Sequence, residues 1–249
     1  MHQFFIDDSQ IGKEYVTITG SDVNHIKNVL RMRIGEKIRV SSNSGQDFYC
    51  AIAEVSDEFV QADILDEEAD STELPSKIYL FQALPKGDRM EYVIQKAVEL
   101  GVYEIIPVSM KYCVVKLDEK KAANKVKRWQ AISESAAKQS KRSIIPKIHP
   151  VMSFKEAVSY ARTCDLCLVP YENERGMSAT AQALEKVIPG TSVSVLIGPE
   201  GGFADEEIEA VRCDMEVLSL GKRILRTDTA AICTMSMLML KLEQKMEED

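Results

Sequence analysis

SVSVLIGPEGGF, residues 192–203, is the stretch whose reading decides the fold. Ser192–Ile197 is an apolar, β-branched run of strand length, as expected of a strand buried inside a sheet. It runs into Gly198-Pro199-Glu200-Gly201-Gly202-Phe203 and then an acidic helix start, Ala204-Asp205-Glu206-Glu207. A glycine cluster at the carboxyl end of a buried strand is where open α/β sheets bind ligands. Glycine there admits positive φ and lets the backbone approach a cofactor closely. The spacing is neither G-x-G-x-x-G nor that of a P-loop. Acids on the next helix also oppose a phosphate at its N-terminus, so a neutral or cationic ligand is the better electrostatic match.

Two further segments have the same form. LSLGKRILRTDTA (218–230) follows a strand at Glu216–Leu218 and enters a helix through Thr227 or Asp228, both good caps. Leu168–Glu172 closes a strand spanning 165–169. Three strand-end loops converging on one edge would form a cofactor pocket. Upstream, Ile78–Leu84 and Glu104–Val108 read as strands. Between them, Asp88 and Glu91 suggest a capping box, Met90, Val93, Ile94, Ala97 and Val98 form a helical stripe, and Gly101 ends the helix. A basic helix is expected over 119–139, with others near 153–162, 178–187, 204–213 and 228–246. Strands alternating with helices specify an α/β domain with a mainly parallel sheet.

The first part of the chain reads differently. Short β-rich runs at Phe4–Ile6, Lys37–Ser41, Phe48–Val55 and Phe59–Leu65 surround one short helical pattern, Ser21–Leu30. A small β-barrel-like domain is the natural reading. An acidic run ending in DEEADSTELPS reads as a linker, placing one domain at 1–70 and another at 71–249.

The 249 residues, 45% hydrophobic and 28% charged, supply a core that needs no disulfides or metals. A net charge of −8 excludes a bulk-cationic ribosomal or histone-like protein. The charge is uneven, however: residues 111–147 carry 11 Lys/Arg against 3 Asp/Glu. Such a stretch attracts phosphates locally even on an acidic protein. The first residues, MHQFFIDDSQ, lack the basic and apolar regions of a signal peptide. The longest nearly apolar run, Thr229–Leu240, is shorter than the ~20 residues of a membrane span. Scattered cysteines suit a reducing cytoplasm. No zinc site is expected, because the three histidines lie far from the Cys164-x-x-Cys167 pair. Buried thiols are the reading for that pair.

Together, IGPEGGF, LGKRILRTDTA, QALPKGDRMEYVIQKAVELGV and HIKNVLRMRIGEKI resemble the RsmE family, SPOUT-class methyltransferases acting on N3 of a uridine in 16S ribosomal RNA. The resemblance runs in order from Phe4 to the final helix. It implies an N-terminal PUA-like RNA-binding barrel and a C-terminal SPOUT-type α/β domain containing a trefoil knot. It further implies S-adenosylmethionine as cofactor, a homodimer, and the small ribosomal subunit as partner. The family's usual Arg-Thr-Glu-Thr is Arg-Thr-Asp-Thr here, and Gln3 stands where arginine is frequent.

The resemblance assigns the cofactor to Leu168, Leu196, Gly198, Pro199, Glu200, Gly201, Gly202, Leu220, Gly221, Ile224, Leu225 and Thr229. Arg226 would stabilise the uracil anion, with Asp228 or Glu200 taking the N3 proton. Asp228 could instead cap the last helix. RNA contacts are expected at Arg31, Arg33, Lys86, Lys125, Lys127, Arg128, Lys141 and Arg142. In the final helix, Ile232, Met235, Met239, Leu242 and Met246 serve core packing, a dimer contact, or both. Trp129 either stacks on a base or is partly buried against the sheet. Two alternative functions stay open: another SPOUT reaction, such as ribose 2′-O methylation, and a non-catalytic RNA-binding protein with a residual adenosine pocket.

Overall fold

Strand alternation builds the first sheet of the computed structural model, which describes residues 1–66 and 72–247. Its strands are β1 (His2–Ile6), β2 (Tyr15–Thr19), β3 (Lys37–Ser42), β4 (Asp47–Val55) and β5 (Phe59–Asp66), in the order β1-β3-β4-β5-β2. β1 runs parallel to β3, and the other pairs are antiparallel. The sheet curls until its edge strands β1 and β2 meet. Its inward residues Phe4, Val16, Ile18, Ile38, Val40, Ile52 and Val60 form one core with Val23 and Ile26. Those last two come from α1 (Ser21–Asn24) and the π turn His25–Leu30 that continues it. Neither Ser21 nor Asp22 caps α1, because Gly20 holds the N-cap position.

The chain divides into two compact units, and the division is not the single cut expected near residue 70. The first unit is Met1–Glu73 together with Ala137–Ile145. Buried polar chemistry holds that added segment. Arg142 forms a bidentate ion pair with Glu73, whose Oε1 also accepts from the Ser143 N–H at 2.8 Å. Gln3 Nε2 donates to the Arg142 carbonyl at 2.6 Å and to Ser41 Oγ at 2.7 Å. Arg39, Asp47 and Ser143 complete the cluster, with Arg39 Nη2 2.7 Å from Asp47 Oδ2. Arg142 is thus a buried structural cation and not an RNA contact. Gln3 likewise serves packing.

The second unit, Leu74–Ala136 with Pro146–Asp249, carries the parallel sheet. Its strands are β6 (Lys77–Ala83), β7 (Glu104–Ser109), β8 (Lys147–Ile148), β9 (Met152–Ser153), β10 (Leu166–Pro170), β11 (Ser192–Ile197) and β12 (Glu216–Leu218). The order is β12-β10-β11-β6-β7-β8, all parallel, with β9 also pairing β7. The helices are α2 (Arg89–Glu99), α3 (Glu119–Ser140), α4 (Phe154–Ala161), α5 (Ser178–Glu185), α6 (Asp205–Glu209) and α7 (Thr227–Glu247). Gly101 ends α2 with φ +87, as expected. The Asp88–Glu91 capping box does not form: Asp88 makes no side-chain cap bond, and Glu91 instead accepts from Arg128 at 2.8 Å. No helix among the described residues is long and apolar enough to cross a membrane.

Candidate active site

At the carboxyl ends of β10, β11 and β12, three loops enclose a cavity of about 420 Å³. They are Pro170–Glu172 with Arg175, Ile197–Phe203, and Ser219–Thr227. The cavity therefore lies at the strand-end edge picked out by the glycine pattern. Local hydrogen bonds explain the loop shapes. The Gly202 N–H closes a tight turn onto the Pro199 carbonyl at 3.0 Å. Thr180 Oγ1, on α5, donates to the Ser219 carbonyl at 2.7 Å and anchors the third loop.

Gly202 takes the positive φ expected of it, and both glycines of the turn also leave space for neighbouring side chains. A Cβ on Gly202, whose φ is +75, would fall 2.3 Å from Glu172 Oε1, and one on Gly201 would fall 2.9 Å from the Tyr112 Cβ. Their hydrogens make room for the protein's own side chains. Two of the acids after the turn are held by the protein's own groups, one buried and one exposed. Glu207 is buried and accepts from the N–H groups of Ala204 and Lys111, each at 2.9 Å. Glu206 pairs with Lys111 at 2.5 Å, which holds its carboxyl below the usual range and raises the lysine.

Of the expected cofactor residues, Gly198, Pro199, Glu200, Gly201, Gly202, Leu220, Gly221, Ile224 and Leu225 line the cavity. Leu168 and Leu196 are buried in their strands and do not reach it, and Thr229 is exposed on α7 outside it. Arg226 lines the wall, exposed and without a partner among the described residues. Glu200 lines it too, its Oε1 accepting from the Lys86 N–H at 2.9 Å and from Arg89 Nη1 at 3.2 Å. Asp228 does not line it. It is the second residue of α7 and not its cap, and its Oδ1 is buried with no hydrogen-bond partner. Thr227 does not cap the helix through its side chain either, since its hydroxyl donates to the Gly198 carbonyl at 2.7 Å.

Sequence reading missed Tyr171, Glu172, Arg175, Phe203, Lys222 and Arg223, all on the lining. Glu172 closes the third strand-end segment, so position in that loop was the available signal. Among the expected RNA contacts, Arg31, Arg33, Lys86, Lys127 and Lys141 are exposed, and Lys125 is half-buried. Arg31 ends the π turn in the left-handed region, φ 54. Arg128 is exposed but paired with Glu91. Trp129 is buried and unavailable for stacking on a base.

With this geometry in hand, comparison with known proteins defines the class. Residues 72–239 match the RNA methyltransferase domain family and residues 18–65 the RNA methyltransferase PUA domain. The fold is accordingly a parallel α/β methyltransferase unit preceded by a PUA domain. A Bacillus subtilis relative named ribosomal RNA small subunit methyltransferase E is 38% identical over 88% of this chain and 88% of its own. A Mesomycoplasma hyopneumoniae relative of the same name is 34% identical over 93% of this chain and 96% of its own. The Neisseria gonorrhoeae protein of that name, solved bound to S-adenosyl methionine, is 31% identical with a TM-score of 0.79, covering 95% of this chain and 96% of that one. The chain belongs to the ribosomal RNA small subunit methyltransferase E family.

Proposed function

We propose that the protein transfers a methyl group from S-adenosylmethionine to N3 of a uridine in 16S ribosomal RNA, acting on the small subunit as a cytoplasmic homodimer. The observation that carries this reading is the strand-end cavity with Arg226, unpartnered among the described residues, on its wall. The cavity fits the cofactor. About 420 Å³ lies within the range of small-molecule sites, and Ile197, Leu220, Leu225 and Phe203 offer apolar contact to an adenosine. Glu172 and Glu200 suit the cofactor's positive charges. When bound, S-adenosylmethionine supplies an activated methyl group, so the protein's task is to hold the partners and manage one proton.

Uridine N3–H is a weak acid whose lone pair is unavailable until the proton leaves. Arg226 meets the developing anion at the uracil carbonyls, the kind of electrostatic stabilisation that is usually the largest catalytic contribution. Glu200 is the proposed proton acceptor. Both of its hydrogen bonds fall on Oε1, which fixes the carboxylate and leaves the lone pairs of Oε2 available. N3 lies on the pairing edge of the base, so the uridine must be unpaired and unstacked to enter. Arg31, Arg33, Lys125, Lys127 and Lys141 supply phosphate contacts. The half-buried side of α7, with Ile232, Cys233, Met237 and Met239, supplies the dimer contact.

The test is transfer of tritiated methyl to small ribosomal subunits, followed by mass analysis of the nucleosides. N3-methyluridine is the expected product. A 2′-O-methyl nucleoside, or no incorporation, overturns the assignment.

A further inference from the structure

Beneath the cavity, and not lining it, lies a polar side chain that the reaction scheme has not used. Gln82 is fully buried near the end of β6, flanked in the sheet by Ile197 on one side and Pro107 on the other. Its neighbours along the chain, Leu80, Phe81, Ala83 and Leu84, are apolar and buried. An amide in such a place is costly unless its hydrogen bonds are made.

Gln82 Nε2 donates to the Ala83 carbonyl at 3.0 Å, and its other bond begins a directed chain. Gln82 Nε2 lies 2.9 Å from Thr227 Oγ1, and Thr227 Oγ1 lies 2.7 Å from the Gly198 carbonyl oxygen. A carbonyl only accepts, so the single hydroxyl proton of Thr227 must go to Gly198. Gln82 must then be the donor to Thr227, which fixes the orientation of its amide. Its Oε1 stays buried without a partner. The chain ties the end of β6, the first residue of α7 and the first residue of the glycine turn. Arg226 immediately precedes Thr227, and Gly198 opens the loop that walls the cavity.

We infer that Gln82 is a positioning residue: by donating to Thr227 it makes the threonine hydroxyl clamp Gly198, holding the glycine turn and Arg226 in register for cofactor and base. The inference rests on the methyltransferase reading above.

The discriminating change is Gln82→Glu, which keeps the shape and removes the obligatory donor. An ionised carboxylate can only accept, so it draws the Thr227 proton away from Gly198. A protonated one donates its single proton to Thr227 and restores the chain, giving up only the bond to the Ala83 carbonyl. Burial lifts the variant's carboxyl above the ordinary ~4.3. Calorimetry with S-adenosylmethionine should therefore show wild-type-like affinity at the acidic end. As pH rises through that pKa the affinity should fall about fivefold or more, while wild type stays level. Methyl transfer should follow the same profile. Thr227→Val should weaken cofactor binding in the same way, and Thr227→Ser, which keeps the hydroxyl, should restore it. This pair decides the matter if Gln82→Glu does not fold.

Equal affinity and equal pH dependence in wild type, Gln82→Glu and Thr227→Val would overturn the inference while leaving the methyltransferase reading intact. Absence of cofactor binding by the wild-type protein would overturn both.

Discussion

Arg226 and Asp228 stand two residues apart, yet the fold gives them unlike surroundings. The arginine reaches the cavity wall unpartnered among the described residues, whereas the aspartate is not part of that lining and has a buried oxygen without a hydrogen-bond partner. Arg226→Ala should therefore lower the maximal rate by about 10²-fold or more with little change in cofactor affinity, the pattern of an interaction made mainly in the transition state. Single-turnover rates and calorimetry on the same preparation check both halves. Asp228→Asn should keep wild-type single-turnover rates, and a large loss would return the carboxylate to the mechanism. Cysteine chemistry follows burial as well. Desolvation raises the Cys50 thiol to about 12 and the Cys164 thiol to about 11, while Cys213 is exposed. Iodoacetamide near neutral pH should label Cys213 first, since the thiolate is the nucleophile, and peptide mapping reads the order. At this scale the sequence disclosed where the site lies and the positive φ of its turn, but not the neighbour that demands Gly201. The Tyr112 Cβ that leaves no room for a side chain at Gly201 comes from a segment far away in the chain.

Elements were legible wherever one periodicity ran long enough. The apolar stripe of Met90, Val93, Ile94, Ala97 and Val98 became the buried face of α2, and Ser192–Ile197 is β11 with the bounds its composition suggested. β2 escaped because Tyr15–Thr19 buries only Val16 and Ile18, and two alternating positions make a weak signal. β8 and β9, at two residues each, exist through pairing with β7 and carry no pattern of their own. In α7, helical spacing grouped Met235 with Met239, but packing separates them. Met235 is fully buried in the unit's own core, whereas Met239 is only partly so. Met235→Lys should consequently abolish folding, because it places an unpaired charge in apolar surroundings. Leu240→Lys, at a position 55% exposed, should leave the melting temperature within a few degrees. Sedimentation of Leu240→Lys then tests whether this side of α7 carries the proposed dimer contact.

Over the whole molecule, the basic stretch 111–147 is one feature in sequence and two in structure. Lys125 and Lys127 sit on α3 in the second unit, while Lys141 and Arg142 follow it in the first. No periodicity announces that division, since it depends on a carboxylate, Glu73, far upstream of the arginine it binds. Sheet order is likewise a property of the chain path. The two parts of the stretch should respond oppositely to mutation. Removing Lys125 and Lys127 together should leave stability nearly unchanged and flatten the dependence of RNA affinity on salt. Each lost phosphate contact contributes about 0.7–0.9 to the slope of log affinity against log salt. Arg142→Ala instead removes the bidentate partner of the partly exposed Glu73, which keeps the Ser143 N–H, so the cost is about 3 kcal/mol, the low end for a buried pair broken from one side. Its melting temperature should fall sharply, while the protein that remains folded keeps the wild-type salt slope. Binding titrations at several salt concentrations, paired with thermal melts, separate the two effects. An Arg142→Ala variant of unchanged stability with a shallower slope would show that this guanidinium faces RNA after all.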